Sequence, residues 1–209
     1  MRRCLALLAL LLAAACSGGL RSTAPAAQTY ALRIAAAPQA PSAARPAAAS
    51  LRIELPLAAP GLHSEHIVIV QPDHRMGYYA GSQWAAELPR VVEELAVERL
   101  RASGDWTAVT DAESAFASDY FLQITIRRFD AEYSSDAAPT ARVALDCALG
   151  RRADRALLAG FTVEAAALAS ANRMSAVVAA LEAAANAALG DLAAASAAAV
   201  RSSPTPSSP

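Results

Sequence analysis

The sequence predicts a single α/β domain of the α+β kind. A mixed, mostly antiparallel sheet of about five to six strands packs with two main helices, the second long and C-terminal. Three observations carry this. Several short segments alternate apolar and polar side chains with the period of a strand. One segment, 87–102, switches to helical spacing. From residue 172 to about 200 the chain is a long Ala-rich run with a second helical stripe.

The domain is preceded by a leader. Arg2 and Arg3 stand before an unbroken apolar run, 5–15, which ends in small residues ahead of Cys16. Positive charge, an apolar core and small residues in that order make a bacterial export signal, here 1–15. The run is too short for a membrane span, which needs roughly twenty residues. Its end, "LLAAACSGG" at 11–19, resembles the lipobox of bacterial lipoproteins, although Ala13 stands where Leu is usual. The resemblance implies cleavage before Cys16 and acylation of its thiol and new N-terminus; the alternative is an ordinary Ala-x-Ala signal. Cys4 leaves with the signal and Cys147 is the remaining cysteine, so an acylated Cys16 leaves no pair for an intrachain disulfide. Several acyl chains anchor durably where one binds only reversibly. Ser17, in place of a retaining Asp, favours the outer membrane at its periplasmic face, with the inner membrane as the alternative.

Residues 16–27 read as a small, polar tether. The domain is expected over 28–200, interrupted by an Ala/Pro-rich loop or disordered insertion at 35–50, and 201–209 as a disordered tail.

Each element has its own signal. "TYALRI" at 29–34 and "SLRIEL" at 50–55 alternate, the latter with Leu51, Ile53 and Leu55 on one face. "HIVIV" at 66–70 is continuously apolar, as in a central strand covered on both faces, and Pro72 ends it. In 87–102, Leu88, Val91, Val92, Leu95 and Arg99 or Leu100 make a stripe, with Glu93, Glu94, Glu98 and Arg101 away from it. Pro89 suits the first turn and Ser103-Gly104 the stop. "DWTAVT" at 105–110 is the next strand, so 66–110 reads as strand, helix, strand, with a right-handed crossover if the strands are parallel.

Three closely spaced strands then imply an antiparallel meander. In "DYFLQITIRRFDAEY" at 119–133, Tyr120, Leu122, Ile124 and Ile126 point inward until Arg127-Arg128 breaks the phase and Phe129 takes over, the mark of a bulge. "TARVALDCAL" aligns Val143, Leu145, Cys147 and Leu149, and "ALLAGFTVEA" aligns Leu157, Phe161 and Val163. The last helix starts near Asn172, a plausible N-cap, with Met174, Val178, Leu181, Ala185, Ala188 and Leu192 as its stripe and Gly190 as a point of bending or splitting. Its alanine face suits either a second partner surface or helix propensity alone.

Functional chemistry is sparse. All eighteen basic residues are arginine and the net charge is −1, which makes no electrostatic case for nucleic acid. His63 and His66 flank Glu65 but point to opposite strand faces, so exposed loop histidines are favoured over a metal site. His74 stands beside Asp73 without a Gly-x-Ser-x-Gly nucleophile elbow. Cys147 reads as a buried core thiol, and no Gly-rich phosphate loop opens a helix. The expectation is a non-enzymatic chain with no catalytic or metal residue and no cofactor beyond the covalent lipid on Cys16. "RMGYYAGSQWAAELP" at 75–89 is the richest segment left. Tyr78, Tyr79 and Trp84 are either aromatics of a short strand covering the helix start or a partner or lipid contact.

Taken in order, the lipobox, "TYAL", "IVIVQP", "GYYAGSQWAAELPRVVEELAVERL", "DYFLQITIRRFDAE" and the Ala-rich C-terminal helix resemble the auxiliary lipoproteins of ABC-type transport systems, a family that includes the lipoprotein of the paraquat-inducible Pqi system. The resemblance covers roughly 28–200, and the insertion at 35–50 is atypical of it. It implies a non-catalytic adaptor for a mammalian-cell-entry (MCE) transport system moving lipids or other hydrophobic compounds across the envelope. Its partners would be a periplasmic MCE-domain protein and that protein's inner-membrane permease and ATPase, with a homo-oligomeric ring as a further possibility. Two rivals stand beside it, a stand-alone periplasmic lipid- or hydrophobic-ligand-binding lipoprotein and a purely structural envelope lipoprotein.

Overall fold

A computed structural model describes residues 26–35, 47–134 and 137–203. In chain order the elements are β1 (Gln28–Tyr30), β2 (Ala47–Ile53), β3 (Leu57–Ala58), β4 (His66–Val70), β5 (Met76–Trp84), α1 (Leu88–Ser103), β6 (Trp106–Thr110), β7 (Tyr120–Glu132), β8 (Thr140–Arg151), β9 (Leu157–Leu168) and α2 (Met174–Ser202). The sheet therefore has more strands than expected, nine among the described residues, while the α/β class and the two helices agree with the sequence reading.

The sheet is organised on the two edges of β7. On one edge β8 and then β9 add antiparallel, the expected meander, with a register shift between Ile126 and Arg128 at the expected bulge. The other edge takes β2, β3 and β4 in turn, all parallel to β7, through Leu51↔Tyr120, Leu57↔Thr125 and Val68↔Asp130. Residues 51–70 thus follow one edge of β7 as an interrupted strand. Glu54 and Ala59 donate backbone N–H bonds to Leu122 and Ile126, which keeps the interruptions on the ladder. Most strand pairings are parallel but short, whereas the long ladders are antiparallel.

Strand β4 lies between β5 and β7 as a central strand should, but only Ile67 and Val68 are buried; Ile69 and Val70 are half-buried. Leu55 falls beyond β2 and Leu157 at a hairpin end, so both are exposed instead of joining their expected faces. The strand expected at 29–34 ends at Tyr30 because α2 replaces the ladder. Arg33 N–H bonds Glu182 at 2.9 Å, Ala35 N–H bonds Asn186 at 2.7 Å, and Asn186 Nδ2 returns a bond to the Arg33 carbonyl at 2.8 Å. Within the expected loop at 35–50, residues 36–46 lie outside the described residues, and 47–50 belong to β2.

Helix α1 has Pro89 in its first turn and stops at Gly104, whose φ of 69° is the left-handed conformation glycine tolerates. Glu93, expected away from the apolar stripe, is 1% exposed. Helix α2 lies on the same sheet face as the buried side chains of β7 and β8, against β8 and β9. It is not capped by Asn172, whose Oδ1 instead accepts from Tyr133; Arg173 takes the N-cap position without a side-chain bond. Gly190 does not split it. The missing side chain there leaves room for Arg99 of α1, whose Nη2 would lie 2.9 Å from a Cβ. The buried stripe is mostly alanine, Ala180, Ala184, Ala185 and Ala188 with Val177, Leu181, Leu189 and Leu192, and Met174 and Val178 sit at its margin. Small side chains bring the helix close to the sheet. Length and composition alone would let α2 cross a membrane, but here that stripe is core.

Candidate functional site

Cys16 and the export signal lie outside the described residues, so the site is built from the folded surface. The aromatic trio at 78–84 does not form one patch. Between His66 and Val68, which pair with Gln83 and Tyr78, the register slips, and the extra β5 residues, with Gly81 at φ 65°, turn Trp84 to the opposite face from Tyr78. Trp84 is 1% exposed and meets Phe129 edge-on at 5.9 Å, which makes it core and not a contact residue. Tyr79 is half-buried, its hydroxyl 2.8 Å from that of Tyr133, which donates to Asn172 at 2.7 Å. Burial, and then the bond to Tyr133, push the Tyr79 phenol well above its ordinary value. Tyr78 alone is presented outward, 47% exposed, its ring 4.8 Å from that of His66.

The histidines stay apart. His63 Nε2 lies 3.2 Å from Glu87 in an exposed pair, and His74 occupies a left-handed turn position at φ 65°. Asp73 is engaged by Arg75 Nε, which holds its carboxyl below the ordinary range, so it does not orient His74. Among the described residues no group of three His, Cys, Asp or Glu side chains is placed to hold a metal. Cys147 is buried, and desolvation, helped by neighbouring Asp146, pushes its thiol up to about 12.

Two surface features escaped sequence reasoning. The first is the loop at 111–119. Arg52 Nη2 reaches over from β2 and donates to the carbonyls of Ser114, at 2.7 Å, and Phe116. Ser50 donates to Asp119 through its backbone N–H and its hydroxyl, both at 2.7 Å, and Arg90 holds Glu113 at 2.8 Å. These bonds fix a loop whose tip, Phe116, is 79% exposed. The second lies beside it, a cleft of about 580 Å³ between α1 and residues 111–113, lined by Glu94, Glu98, Asp111 and Glu113 with Arg90 and Arg101. No local pattern flags Phe116, because its exposure depends on an arginine more than sixty residues earlier in the chain.

On the sheet face away from the helices, Arg128 binds both oxygens of Asp130, at 3.1 and 2.9 Å, and Glu132 at 3.0 Å, while Arg142 reaches Glu132 at 2.9 Å. Asp130 is 3% exposed, and both of its oxygens are engaged by Arg128. The bonds to Asp130 come first in raising the Arg128 guanidinium.

A similar fold occurs in protein XCC0632 from Xanthomonas campestris, 26% identical, with a TM-score of 0.75 over 83% of this chain and 97% of that one. An uncharacterized protein of solved structure, 15% identical, shares the fold with a TM-score of 0.63 over 84% of this chain and 99% of its own. No curated protein matches the chain. The family model described as "ABC-type transport auxiliary lipoprotein component" matches residues 30–193. That span runs from the end of β1 into α2 and takes in the β7 ladders, the fixed loop and the acidic cleft; the chain belongs to the family of ABC-type transport auxiliary lipoproteins.

Proposed function

We propose that this chain is the non-catalytic docking subunit of an MCE-type ABC transport system that moves lipids or other hydrophobic compounds across the cell envelope. The lipid on Cys16 anchors it at the periplasmic face of the outer membrane, where it receives the periplasmic MCE-domain protein served by an inner-membrane permease and ATPase. The observation that carries the reading is the family match over 30–193.

The surface supports it. An exposed aromatic on a loop whose backbone is held by hydrogen bonds costs less entropy to dock than one on a free loop, which suits a contact residue. Phe116 meets that description where Tyr79 and Trp84 do not. Self-assembly into a ring is part of the same reading. Strand β9 offers twelve residues whose second edge carries no strand among the described residues, an open template for another chain. The rival role of a free lipid carrier calls for an enclosed apolar cavity, whereas the cleft of about 580 Å³ beside α1 is open and lined mostly by charged side chains.

A photoreactive residue at Phe116 in the acylated chain should crosslink to the MCE-domain protein in intact envelopes. Crosslinks to unrelated proteins only would reject the docking role. Density-gradient fractionation of the envelope assigns the membrane.

A further inference from the structure

We propose that the end of the sheet carrying the β4–β5 turn rests on the bilayer to which the chain is tethered, with Met76 and Leu168 against the membrane surface and Tyr78 at headgroup level. The proposal rests on the reading of Cys16 as an anchor and adds an orientation to it.

The direction of β1 decides which end is near. β1 is parallel to β5, in register Gln28↔Ser82 and Tyr30↔Trp84, so the chain enters β1 from the side of Met76. Cys16 precedes Gln28 by twelve residues. Twelve residues reach at most about 40 Å when fully extended. β7 alone, thirteen residues long, spans about 43 Å. The entry point, Gln28 beside Ser82, lies nearer the Glu132 end of β7 than its Tyr120 end, so a link shorter than the sheet favours the Glu132 end at the bilayer.

The residues at that end suit a membrane surface. Met76, Val70, Glu132, Thr140 and Leu168 pair in succession across β5, β4, β7, β8 and β9 and make one transverse row. Its two termini are exposed apolar side chains, Met76 at 50% and Leu168 at 72%. Tyr78 stands two residues further along β5, about 7 Å behind the row, where an amphipathic ring meets headgroups. Among the described residues the acids between them are already neutralised: Asp73 by Arg75, and Glu132 by Arg128 and Arg142. Exposed Arg173 remains to meet anionic lipid. The chain of hydroxyls from Tyr79 through Tyr133 to Asn172 ties β5, the end of β7 and the entry to α2 into one rigid surface. Phe116 and Leu157 lie at the opposite end, beside the start of β7, which turns the fixed loop toward the periplasm.

Hydroxyl-radical footprinting with mass spectrometry tests this on the native side chains. The acylated protein in vesicles of phosphatidylethanolamine and phosphatidylglycerol is compared with the Cys16→Ser chain free in solution. Modification of Met76, Tyr78 and Leu168 should fall several-fold on vesicles, with Phe116 and Leu157 unchanged. Equal modification in both samples, or protection of Phe116 and Leu157 instead, overturns the proposal. So does equal protection in concentrated Cys16→Ser chain without vesicles, which would assign the surface to self-association. Incorporation of a labelled fatty acid reports separately on the anchor. If it fails, coupling the Cys16 thiol to a maleimide lipid attaches the same tether, and protection of Met76, Tyr78 and Leu168 then upholds the docked end without the natural acylation.

Discussion

Arg90 Nη1 stands 2.7 Å from Glu93 Oε2, and that carboxylate is 1% exposed inside a helix whose sequence pattern placed it toward solvent. Its other oxygen accepts the backbone N–H of Ala112 at 2.9 Å, and Arg90 reaches on to Glu113 at 2.8 Å. Glu93 therefore fastens the loop at 111–119 to α1. Glu93→Ala removes the acceptor and leaves the Ala112 N–H without a partner, at an expected cost of about 2–3 kcal/mol, read by urea unfolding. A loss below about 0.5 kcal/mol would mean that the loop does not depend on this carboxylate.

Tyr78 and Trp84, six residues apart in β5 and on opposite faces, should separate cleanly. Trp84→Ala opens a hole against Phe129 and should cost about 3–5 kcal/mol, while Tyr78→Ala should stay within about 0.5 kcal/mol. Comparable losses from both would contradict the register slip that turns them to opposite faces.

Two glycines differ in what a methyl group would meet. At Gly150 a Cβ would overlap the Phe121 ring, so Gly150→Ala should destabilise by about 1–3 kcal/mol. At Gly190 the neighbour is the flexible tip of Arg99, which can swing away, so Gly190→Ala should gain up to about 1 kcal/mol of helix propensity. Thermal unfolding of the two variants should shift in opposite directions.

Asp119 should contribute to the acid limb of stability. The backbone N–H and then the hydroxyl of Ser50 hold its carboxyl below its ordinary value of 3.8. A lowered folded value makes its contribution complete above 3.8 and lost as pH falls through that lowered value. Asp119→Asn should flatten the dependence of unfolding free energy on pH in that window, and NMR titration of the Asp119 carboxyl should find its midpoint lowered.

Cys147 should behave as a core thiol. Burial raises it from 9.0 to about 12, so its stabilising contribution is present below the ordinary value and lost as pH rises through that interval. Iodoacetamide at pH 8 should leave the native protein unlabelled and modify Cys147 once urea unfolds it. Rapid labelling of the native protein would place the thiol at the surface.

The legible part of the fold was the part written in local periods. The alternation of β7, β8 and β9 identified the meander, and the phase break at Arg127-Arg128 marked the bulge that the ladder contains. Pro89 and Gly104 bounded α1. The parallel additions to β7 escaped, because β3 is two residues long and its pairing with Thr125 and Ile126 joins segments nearly seventy residues apart. At the surface, clustering of Tyr78, Tyr79 and Trp84 was visible and misleading, since proximity in a strand says nothing about face once the register slips.

By itself the sequence determined the class, the two helices, the meander and the family resemblance, all consequences of side-chain periodicity and residue order. Tertiary structure alone decided what those elements show to the outside. Packing set an alanine-rich stripe of α2 against the sheet and left room for Arg99 at Gly190. Arg52 chose Phe116 as the exposed aromatic by spending its donors on two loop carbonyls. The parallel pairing of three residues, Gln28–Tyr30, set the direction in which the chain enters the sheet. Each choice joins groups far apart along the chain, so no local pattern could carry it.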